Sequence, residues 1–276
     1  MEDKGILYLV ATPIGNLEDI TLRAIRILKE VDIIAAEDTR HTLKLLNHLE
    51  ISKPLISYYK QTEKNKCEYL IDQLNSGKNI ALVSDAGTPV ISDPGEVIVK
   101  EAIKNNIKVY SVPGPCALIS ALISSGISAN KFSFIGFLPV PSKKKQEELE
   151  TIKDYETTLI FYEAPHKLKS TLEVMLEILG DRNICLAREL TKIHEEFTRG
   201  KISEILNNLL EPKGEYVIIV EGNYSKKRDE LTALNNLSLE EHFSYYEKLG
   251  FSKKDIIKKI AKDRNVSKNE IYQHFI

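Results

Sequence analysis

Residues 79–89 read Asn-Ile-Ala-Leu-Val-Ser-Asp-Ala-Gly-Thr-Pro and decide the fold. Asn79–Asp85 holds a continuous apolar run, which is typical of a strand buried on both faces of a parallel sheet. Directly after it, Ala86–Pro89 has the glycine and proline of a tight turn. A buried strand that ends in such a turn indicates a loop at the carboxyl edge of a parallel sheet, where α/β proteins bind ligands.

The same pattern continues on both sides of this stretch. Apolar runs predict further strands at Ile6–Ala11, Asp32–Glu37 and Lys108–Val112. Apolar residues at helical spacing lie between these runs. Strands that alternate with helices predict βαβ units and a mainly parallel sheet, so the fold class is α/β.

One helix start is marked by its capping residues. Asp93 is placed to cap a helix, Pro94 suits the first helical position, and Glu96 stands at the capping-box spacing. We therefore expect a helix that begins directly after Asp93.

A proline-rich connector interrupts the α/β pattern at Leu138–Lys145. Pro139 and Pro141 lie two residues apart and three lysines follow, which favours an extended link. We expect an N-terminal α/β domain over residues 1–138 and a second, partly antiparallel α/β domain over residues 142–225. The second domain contains predicted strands at Thr157–Glu163, Asn183–Arg188 and Glu215–Glu221, and predicted helices at Pro165–Leu179 and Ile202–Leu210.

Residues 226–276 differ from the rest of the chain in charge. They carry 11 Lys and Arg against 8 Asp and Glu, whereas residues 1–225 carry 27 against 32. Lys226–Asn236 predicts a polar linker. Ser238 with Glu241, and Ser267 with Glu270, match capping boxes and predict two helix starts. The region is therefore expected to be a linker followed by a small helical domain.

An apolar stripe at Ile256, Ile257, Ile260 and Ala261 indicates an amphipathic helix between these two starts. With the helix that follows, it resembles a helix-turn-helix. Its other face carries five lysines, namely Lys253, Lys254, Lys258, Lys259 and Lys262. Lysines on one helix face are usually just solvated, but such a face also suits RNA phosphates, and we predict that these five bind RNA. Tyr272 and Phe275 are expected to belong to the core of the last helix.

Composition excludes several classes of protein. No apolar run in the 276 residues approaches the roughly 18 that a membrane span needs. The three cysteines are widely spaced and predict neither a disulfide framework nor a metal site. There is no G-x-G and no P-loop pattern, so the standard nucleotide-binding signatures are missing. We expect a cytoplasmic protein that binds no membrane and no metal.

Three loops rich in glycine or proline follow predicted strands, at Thr12–Asn16, Ala86–Gly95 and Pro113–Pro115. In a parallel sheet all three lie at the carboxyl edge. Each loop alone is also explained as a tight turn. Their coincidence at one edge favours a binding site, in which Asp85 meets hydroxyl or amino groups of a ligand.

Several motifs together carry a family resemblance. They are Val10–Leu17 (VATPIGNL), Glu37–Arg40 (EDTR), Ser84–Pro89 (SDAGTP), Ile91–Gly95 (ISDPG), Phe161–Lys167 (FYEAPHK), Arg188–Lys192 (RELTK), His194–Glu196 (HEE) and Arg199-Gly200. From about Ile6 to Gly222 the chain resembles the ribosomal small-subunit RNA ribose 2′-O-methyltransferases that modify a decoding-site cytidine. That family belongs to the tetrapyrrole-methylase-like superfamily.

This resemblance implies two α/β domains that hold S-adenosylmethionine in a cleft between them. It also implies a homodimer that acts on RNA of the small ribosomal subunit. The implied cofactor contacts are Pro13, Ser84, Asp85, Thr88, Ile91, Cys116, Ala117, Tyr162, Glu163, Ala164 and Pro165. Lys167 departs from the family, which often has arginine there, and lysine lacks the two-pronged hydrogen bond of arginine.

Glu37 and Arg40 are the first candidates for catalysis on a ribose hydroxyl. A carboxylate at Glu37 can take the hydroxyl proton, and Arg40 can hold a phosphate through two parallel hydrogen bonds. The structural alternative is that Asp38 or Thr39 caps the next helix while Glu37 pairs with Arg40. Both interpretations stay open for Glu37 and Arg40. Glu195, in a charged cluster of the second domain, is the second candidate base.

Two other functions remain open. One is methylation of a small cyclic substrate of the tetrapyrrole type, and the other is RNA binding by a ribosome-biogenesis factor without catalysis. The basic C-terminal region and the Arg188–Gly200 string argue against the first, and the complete set of cleft loops argues against the second.

Overall fold

Five parallel strands form the first sheet, in the order β3-β2-β4-β1-β5. They are β1 (Ile6–Val10), β2 (Ile33–Ala36), β3 (Leu55–Ser57), β4 (Ile80–Val83) and β5 (Lys108–Val112). Every residue of β2 and β4 is buried, as expected for strands covered by helices on both faces. The predicted parallel sheet is confirmed. The sequence missed only β3, a strand of three residues at its edge.

The computed structural model describes residues 4–61, 63–224 and 232–275. These residues fall into two compact units, one up to Glu221 and the other from Gly222 onwards. No described helix is long and apolar enough to cross a membrane.

Four helices cover the first sheet, with one apolar layer on each of its faces. On one face Leu70 and Leu74 pack with Leu82 of β4, and on the other Ile27 and Leu28 pack with Ile34 of β2. The helices are α1 (Leu22–Glu30), α2 (Thr39–His48), α3 (Glu63–Asn75) and α4 (Glu96–Lys104).

Helix α4 begins at Glu96, so the prediction that Asp93 caps it is wrong. The N-cap is Gly95, whose φ of 141° is a conformation that residues with a side chain rarely adopt. A Cβ at Gly95 would lie 2.7 Å from side-chain atoms of both Leu82 and Val90. The loop therefore packs tightly onto β4 before the helix starts, and Asp93 is left in the loop.

The second sheet has the order β6-β7-β10-β8-β9. Only β6 and β7 run parallel, and the other three pairs are antiparallel, which confirms the predicted partly antiparallel sheet. The strands are β6 (Phe132–Phe137), β7 (Thr158–Glu163), β8 (Asn183–Arg188), β9 (Glu196–Lys201) and β10 (Tyr216–Val220). The sequence predicted the three inner strands and missed β6 and β9, which lie at the two edges.

Helices α5 (Ala117–Ser124), α6 (Ser142–Ile152), α7 (Pro165–Leu179) and α8 (Ile202–Asn208) lie in the same unit. Helix α7 starts with Pro165 and ends before Gly180, as predicted. The predicted extended connector is wrong from Ser142 onwards, because α6 starts there. Strand β6 precedes the connector, yet it pairs with β7 of the second sheet. The chain therefore passes from the first sheet to the second between β5 and β6, before the connector. A domain boundary between residues 138 and 142 stays a prediction.

The C-terminal unit is a small helical bundle with its own core. Its helices are α9 (Leu239–Lys248), α10 (Lys253–Asp263) and α11 (Lys268–His274). Ser238 and Ser267 cap α9 and α11 as predicted, and the apolar stripe of α10 is buried. Of the predicted linker, residues 226–231 lie outside the described residues, and residues 232–236 are helical.

Candidate active site

Three loops meet at the carboxyl edge of the first sheet, as the sequence predicted. Thr12 and Gly87 exchange two backbone hydrogen bonds of 2.8 and 2.9 Å, which join the loops after β1 and β4. The Thr88 hydroxyl donates to the Pro115 carbonyl at 3.1 Å and so joins the loop after β5 to the other two. Because they are bonded to one another, the three loops form one continuous wall.

This wall faces a cleft of about 590 Å³ whose opposite side comes from the second sheet. That volume lies within the range of about 300–1,000 Å³ that is common for small-molecule sites. The first sheet contributes Glu37 and the loop residues 85–88 and 91–93, and the second contributes the end of β7 and the start of β10.

Nine of the eleven implied cofactor contacts line the cleft, and their binding role stays a prediction. They are Asp85, Thr88, Ile91, Cys116, Ala117, Tyr162, Glu163, Ala164 and Pro165. Pro13 and Ser84 are not among the lining residues. Ser84 is buried below the loop, where its hydroxyl donates to the carbonyls of Ala86 and Gly87 at 3.3 Å.

Three carboxylates face the cleft, from Glu37, Asp85 and Asp93. Burial raises the pKa of Glu37, and the nearby Asp85 carboxylate adds to the effect. Burial also raises the pKa of Asp93 to about 6, with a smaller contribution from the charge of Glu37. Three neighbouring acids that repel one another favour a ligand that carries positive charge.

Asp85 also holds the site together. Its Oδ1 accepts a hydrogen bond of 2.9 Å from the backbone N–H of Asp38. The bond fixes the end of β4 to the loop after β2, and Glu37 immediately precedes that N–H in the chain. The position of Glu37 therefore depends on Asp85.

The backbone is strained on both sides of the cleft. Val90 and Ser92 have φ values of 76° and 68°, and Glu189 and Thr191 have φ values of 50° and 66°. These are four of the seven non-glycine residues with positive φ in the described part of the chain. Val90 and Thr191 are β-branched, for which this conformation is costly. Such strain persists where the surrounding structure enforces it, most often at functional sites.

Gly15 lies where the two halves of the cleft approach each other. A Cβ at Gly15 would come within 2.5 Å of Lys192 Cγ and 2.9 Å of Thr191 Oγ1. The loop after β1 therefore touches the strained loop after β8, and the contact requires glycine. The buried Thr191 hydroxyl has no hydrogen-bond partner among the described residues, and Thr191 is not among the residues that line the cleft.

A buried chain of hydrogen bonds supports the second wall. Lys145 Nζ donates to the Thr171 hydroxyl at 2.7 Å, and that hydroxyl donates to Glu163 Oε2 at 2.5 Å. Glu163 Oε1 in turn accepts from the backbone N–H of Ala164 at 2.9 Å. All three side chains are buried. The chain links α6 and α7 to two residues that line the cleft.

Aromatic rings supply the apolar part of the second wall. Tyr162 packs edge-on against Phe134 and Phe137, with ring centroids 5.0 and 5.5 Å apart. Its hydroxyl oxygen accepts a hydrogen bond of 3.2 Å from the backbone N–H of Leu118, at the start of α5. Burial, followed by the neighbouring Cys116, raises the pKa of Tyr162 to about 12. Tyr162 therefore remains neutral and acts as a fixed, largely apolar surface.

The three candidate catalytic residues lie in different surroundings. Glu37 faces the cleft and does not pair with Arg40. Arg40 is 89% exposed and pairs at 2.7 Å with Asp38, which also caps α2. Glu195 accepts a hydrogen bond of 2.5 Å from the backbone N–H of Thr191 and does not line the cleft. Of the three, only Glu37 is placed to meet a reacting group in the cleft.

Sequence reasoning missed Asp93 and Lys145. Asp93 was assigned the cap of α4, because it precedes Pro94 and stands at capping-box spacing from Glu96, and no sequence signal placed its carboxylate in the cleft. Lys145 carries no such signal, because it is one of three consecutive lysines and only the fold brings it to Thr171.

The five lysines predicted to bind RNA lie in three different surroundings. Lys253, Lys254 and Lys258 line a groove of about 860 Å³ in the C-terminal unit. The Lys259 ammonium instead lies over aromatic rings, 4.3 Å from the Phe251 centroid and 5.1 Å from the Tyr246 centroid. Lys262 lies outside the groove.

The chain matches one family model and a group of related proteins that share one name. Residues 6–206 match the family described as Tetrapyrrole (Corrin/Porphyrin) Methylases. The chain is 51% identical to "Ribosomal RNA small subunit methyltransferase I" of Bacillus subtilis (strain 168), over 99% of this chain and 94% of that protein. The protein of the same name from Thermotoga maritima is 48% identical over 220 residues, which are 79% of this chain and 99% of that protein. The resemblance drawn from the motifs is thereby confirmed.

Solved structures show the same fold at low sequence identity. A crystal structure of diphthine synthase has a TM-score of 0.62 at 13% identity and covers 79% of this chain and 90% of that one. The uroporphyrin III C-methyltransferase of Thermus thermophilus has a TM-score of 0.57 at 18% identity, over 79% and 97% of the two chains. Both matches concern the fold alone.

Proposed function

The chain belongs to the tetrapyrrole (corrin/porphyrin) methylase family and, within it, to the group of the ribosomal RNA small subunit methyltransferase I proteins. On this premise we propose that it transfers a methyl group from S-adenosylmethionine to the ribose 2′-hydroxyl of a decoding-site cytidine in small-subunit ribosomal RNA. The observation that carries the proposal is the cleft between the two sheets, in which Glu37, Asp85 and Asp93 face one space.

The residues of the cleft fit S-adenosylmethionine, which supplies an electrophilic methyl group on a positively charged sulfonium. The carboxylates of Asp85 and Asp93 suit the positive charges of the sulfonium and the amino group. Ile91, Phe137 and Tyr162 offer an apolar surface for the adenine. These residues would hold the cofactor without a metal.

The protein contributes alignment and proton transfer. Two walls that fix both reactants would remove much of the entropic barrier to an in-line displacement. Glu37 would accept the proton of the attacking hydroxyl, and its raised pKa improves its match to neutral pH. Arg40 would meet an RNA phosphate at the surface. Glu195 would position the strained loop at Thr191.

We also propose a cytoplasmic homodimer. The outward face of α5 exposes Ile119 and Ile123, the second of which is 72% exposed. An apolar helix face of this kind is suited to burial against a second copy of the chain. Light scattering of the purified protein measures the mass in solution, and Ile123→Glu should shift a dimer towards the monomer.

One assay tests the proposed reaction. Three reactions each contain the protein and radiolabelled S-adenosylmethionine. The first also contains small ribosomal subunits, the second naked ribosomal RNA and the third a uroporphyrinogen. We expect label in RNA, recovered after digestion as 2′-O-methylcytidine. Label in the tetrapyrrole would overturn the RNA assignment. Cofactor binding without transfer to any substrate would support the non-catalytic alternative.

A further inference from the structure

The groove of the C-terminal unit lies between α10 and α11, and both helices contribute basic residues. Lys253, Lys254 and Lys258 come from α10 and Lys268 from α11. Lys268 was not among the five lysines predicted from the sequence, because it lies on a different helix from the apolar stripe. The fold therefore gathers a set of charges that differs from the lysine face of α10.

The charges in the groove are only partly neutralised by the protein. Lys258 lies 3.5 Å from Asp255, and Lys253 donates to the backbone carbonyl of Phe275 at 3.2 Å. Within the described part of the chain, neither Lys254 nor Lys268 has an ion-pair partner. Two ammonium groups without an ion pair, one from each helix of the groove, favour an extended anion.

Tyr272 is the exposed aromatic residue of the groove. Its side chain is 52% exposed, whereas Phe275 packs against Phe243 with ring centroids 4.8 Å apart. The expectation that both aromatics belong to the core is therefore correct for Phe275 and wrong for Tyr272. An exposed ring among lysines is the combination by which proteins hold single-stranded nucleic acid, since bases stack on rings while lysines meet phosphates.

We propose that this groove binds a single-stranded segment of RNA. Lys254, Lys258 and Lys268 lie along its phosphates, and one base stacks on Tyr272. The assignment rests on the proposed function, because it takes RNA as the substrate. It narrows the binding surface to the groove and excludes Lys259, which is engaged with aromatic rings, and Lys262, which lies outside.

The experiment uses the full-length protein and a labelled single-stranded RNA of about 12 nucleotides, a length in the range of known single-strand sites. Binding is measured by fluorescence anisotropy across a salt series. Lys254→Gln/Lys268→Gln should reduce the slope of log affinity against log salt by about 1.4, since each lysine–phosphate contact on a single strand contributes about 0.7. Tyr272→Ala should weaken binding at least about fivefold and Tyr272→Phe should not, because stacking requires only the ring.

The matched control is Lys248→Gln/Lys262→Gln, which removes the same charge outside the groove. Equal slopes for the two double variants would overturn the proposal, and so would tighter binding of a duplex of the same sequence. Thermal melts of each variant distinguish weaker RNA binding from unfolding. Methyl transfer to small subunits is measured in parallel. If wild-type protein methylates RNA while the groove variants bind normally, the groove assignment alone fails. If it methylates no RNA, the proposed function fails whatever the groove binds.

Discussion

Glu37 and Arg40 are neighbours in the sequence, but their side chains face different surroundings. The EDTR motif left both a site role and a mutual ion pair open for them. The structure gives the ion pair to Asp38 and Arg40 and leaves Glu37 in the cleft. Sequence could not decide this, because the choice depends on Asp85, 47 residues away, which binds the Asp38 backbone.

Glu37→Gln should lower the rate of methyl transfer by about 10²–10⁴, the usual contribution of a positioned base. The affinity for S-adenosylmethionine should change little, since the amide keeps the shape of the side chain. Single-turnover kinetics measures the rate of methyl transfer, and calorimetry measures the affinity for the cofactor. Arg40→Ala should instead weaken the binding of the RNA substrate. Should Glu37→Gln react at the parental rate, Glu37 is a structural residue, and Asp93 becomes the next candidate base, followed by Glu195.

Asp93 should make cofactor binding depend on pH. Burial raises its pKa to about 6, so in the free protein it takes up a proton as the pH falls through that value. A cationic ligand prefers the ionised carboxylate, and the affinity for S-adenosylmethionine should therefore fall below about pH 6. Asp93→Asn should bind more weakly at pH 7.5 and lose this pH dependence. Calorimetry between pH 5 and 8 measures both, and an unchanged pH profile in the variant would exclude Asp93 as the titrating group.

The same carboxylate should lower stability at neutral pH. Between the ordinary pKa of 3.8 and about 6, the folded protein binds more protons at Asp93 than the unfolded chain does. Its contribution to stability therefore declines as the pH rises through this window. Without ligand, Asp93→Asn should melt at a higher temperature than the parent at pH 7.5 and lose that advantage at pH 4. A lower melting temperature at both values would contradict this account.

At the scale of elements, the chain of hydrogen bonds from Lys145 to Ala164 connects two helices with the cleft. Thr171→Val keeps the volume but removes the hydroxyl that Lys145 and Glu163 share. Stability should fall by about 1–3 kcal/mol or more, the range for buried polar groups that lose a partner. Because Glu163 and Ala164 line the cleft, cofactor affinity should fall as well, with the rate at saturating cofactor largely kept.

Thr171→Ser is the matched control, since it retains the hydroxyl. It should stay close to the parent in denaturant unfolding and in cofactor affinity. Equal losses in the serine and valine variants would show that the threonine methyl group, and not the hydrogen-bond chain, supports the wall.

The predictability of each element follows from its burial. Strands β4 and β10 are buried throughout, and their apolar runs identified them. Strand β9 lies at a sheet edge with the sequence EFTRGK, in which polar residues conceal the strand. Helix α6 was missed because three lysines in its first turn oppose the helix dipole, and only its buried partner makes Lys145 favourable there.

At the scale of the molecule, the sequence predicted the first wall of the cleft without the family resemblance. The three loops of the first wall follow from one rule about parallel sheets. The second wall depends on β10 pairing between β7 and β8, an arrangement that no local pattern encodes. For Tyr162–Pro165 only the family resemblance pointed to the site.

A protein that is cut after Gly222 should keep the fold and the cofactor site of the N-terminal unit. The cores of the N-terminal unit use only residues up to Val220, and the C-terminal unit has its own core. The Thermotoga maritima relative, matched over 99% of its length by 220 residues of this chain, shows that the family includes shorter proteins. The truncated protein should fold and bind S-adenosylmethionine as the full chain does, which calorimetry and a thermal melt measure.

RNA binding should respond differently to the same cut. If the groove and its lysines meet phosphates, the truncated protein should bind small subunits more weakly, and its salt slope should be shallower by about 0.7 for each single-strand phosphate that it no longer neutralises. Equal affinity and equal slope would show that the basic helices are merely solvated and that RNA is held by the N-terminal unit alone. In that case Arg40, the 89% exposed cation at the motif next to Glu37, becomes the first phosphate-binding residue to test.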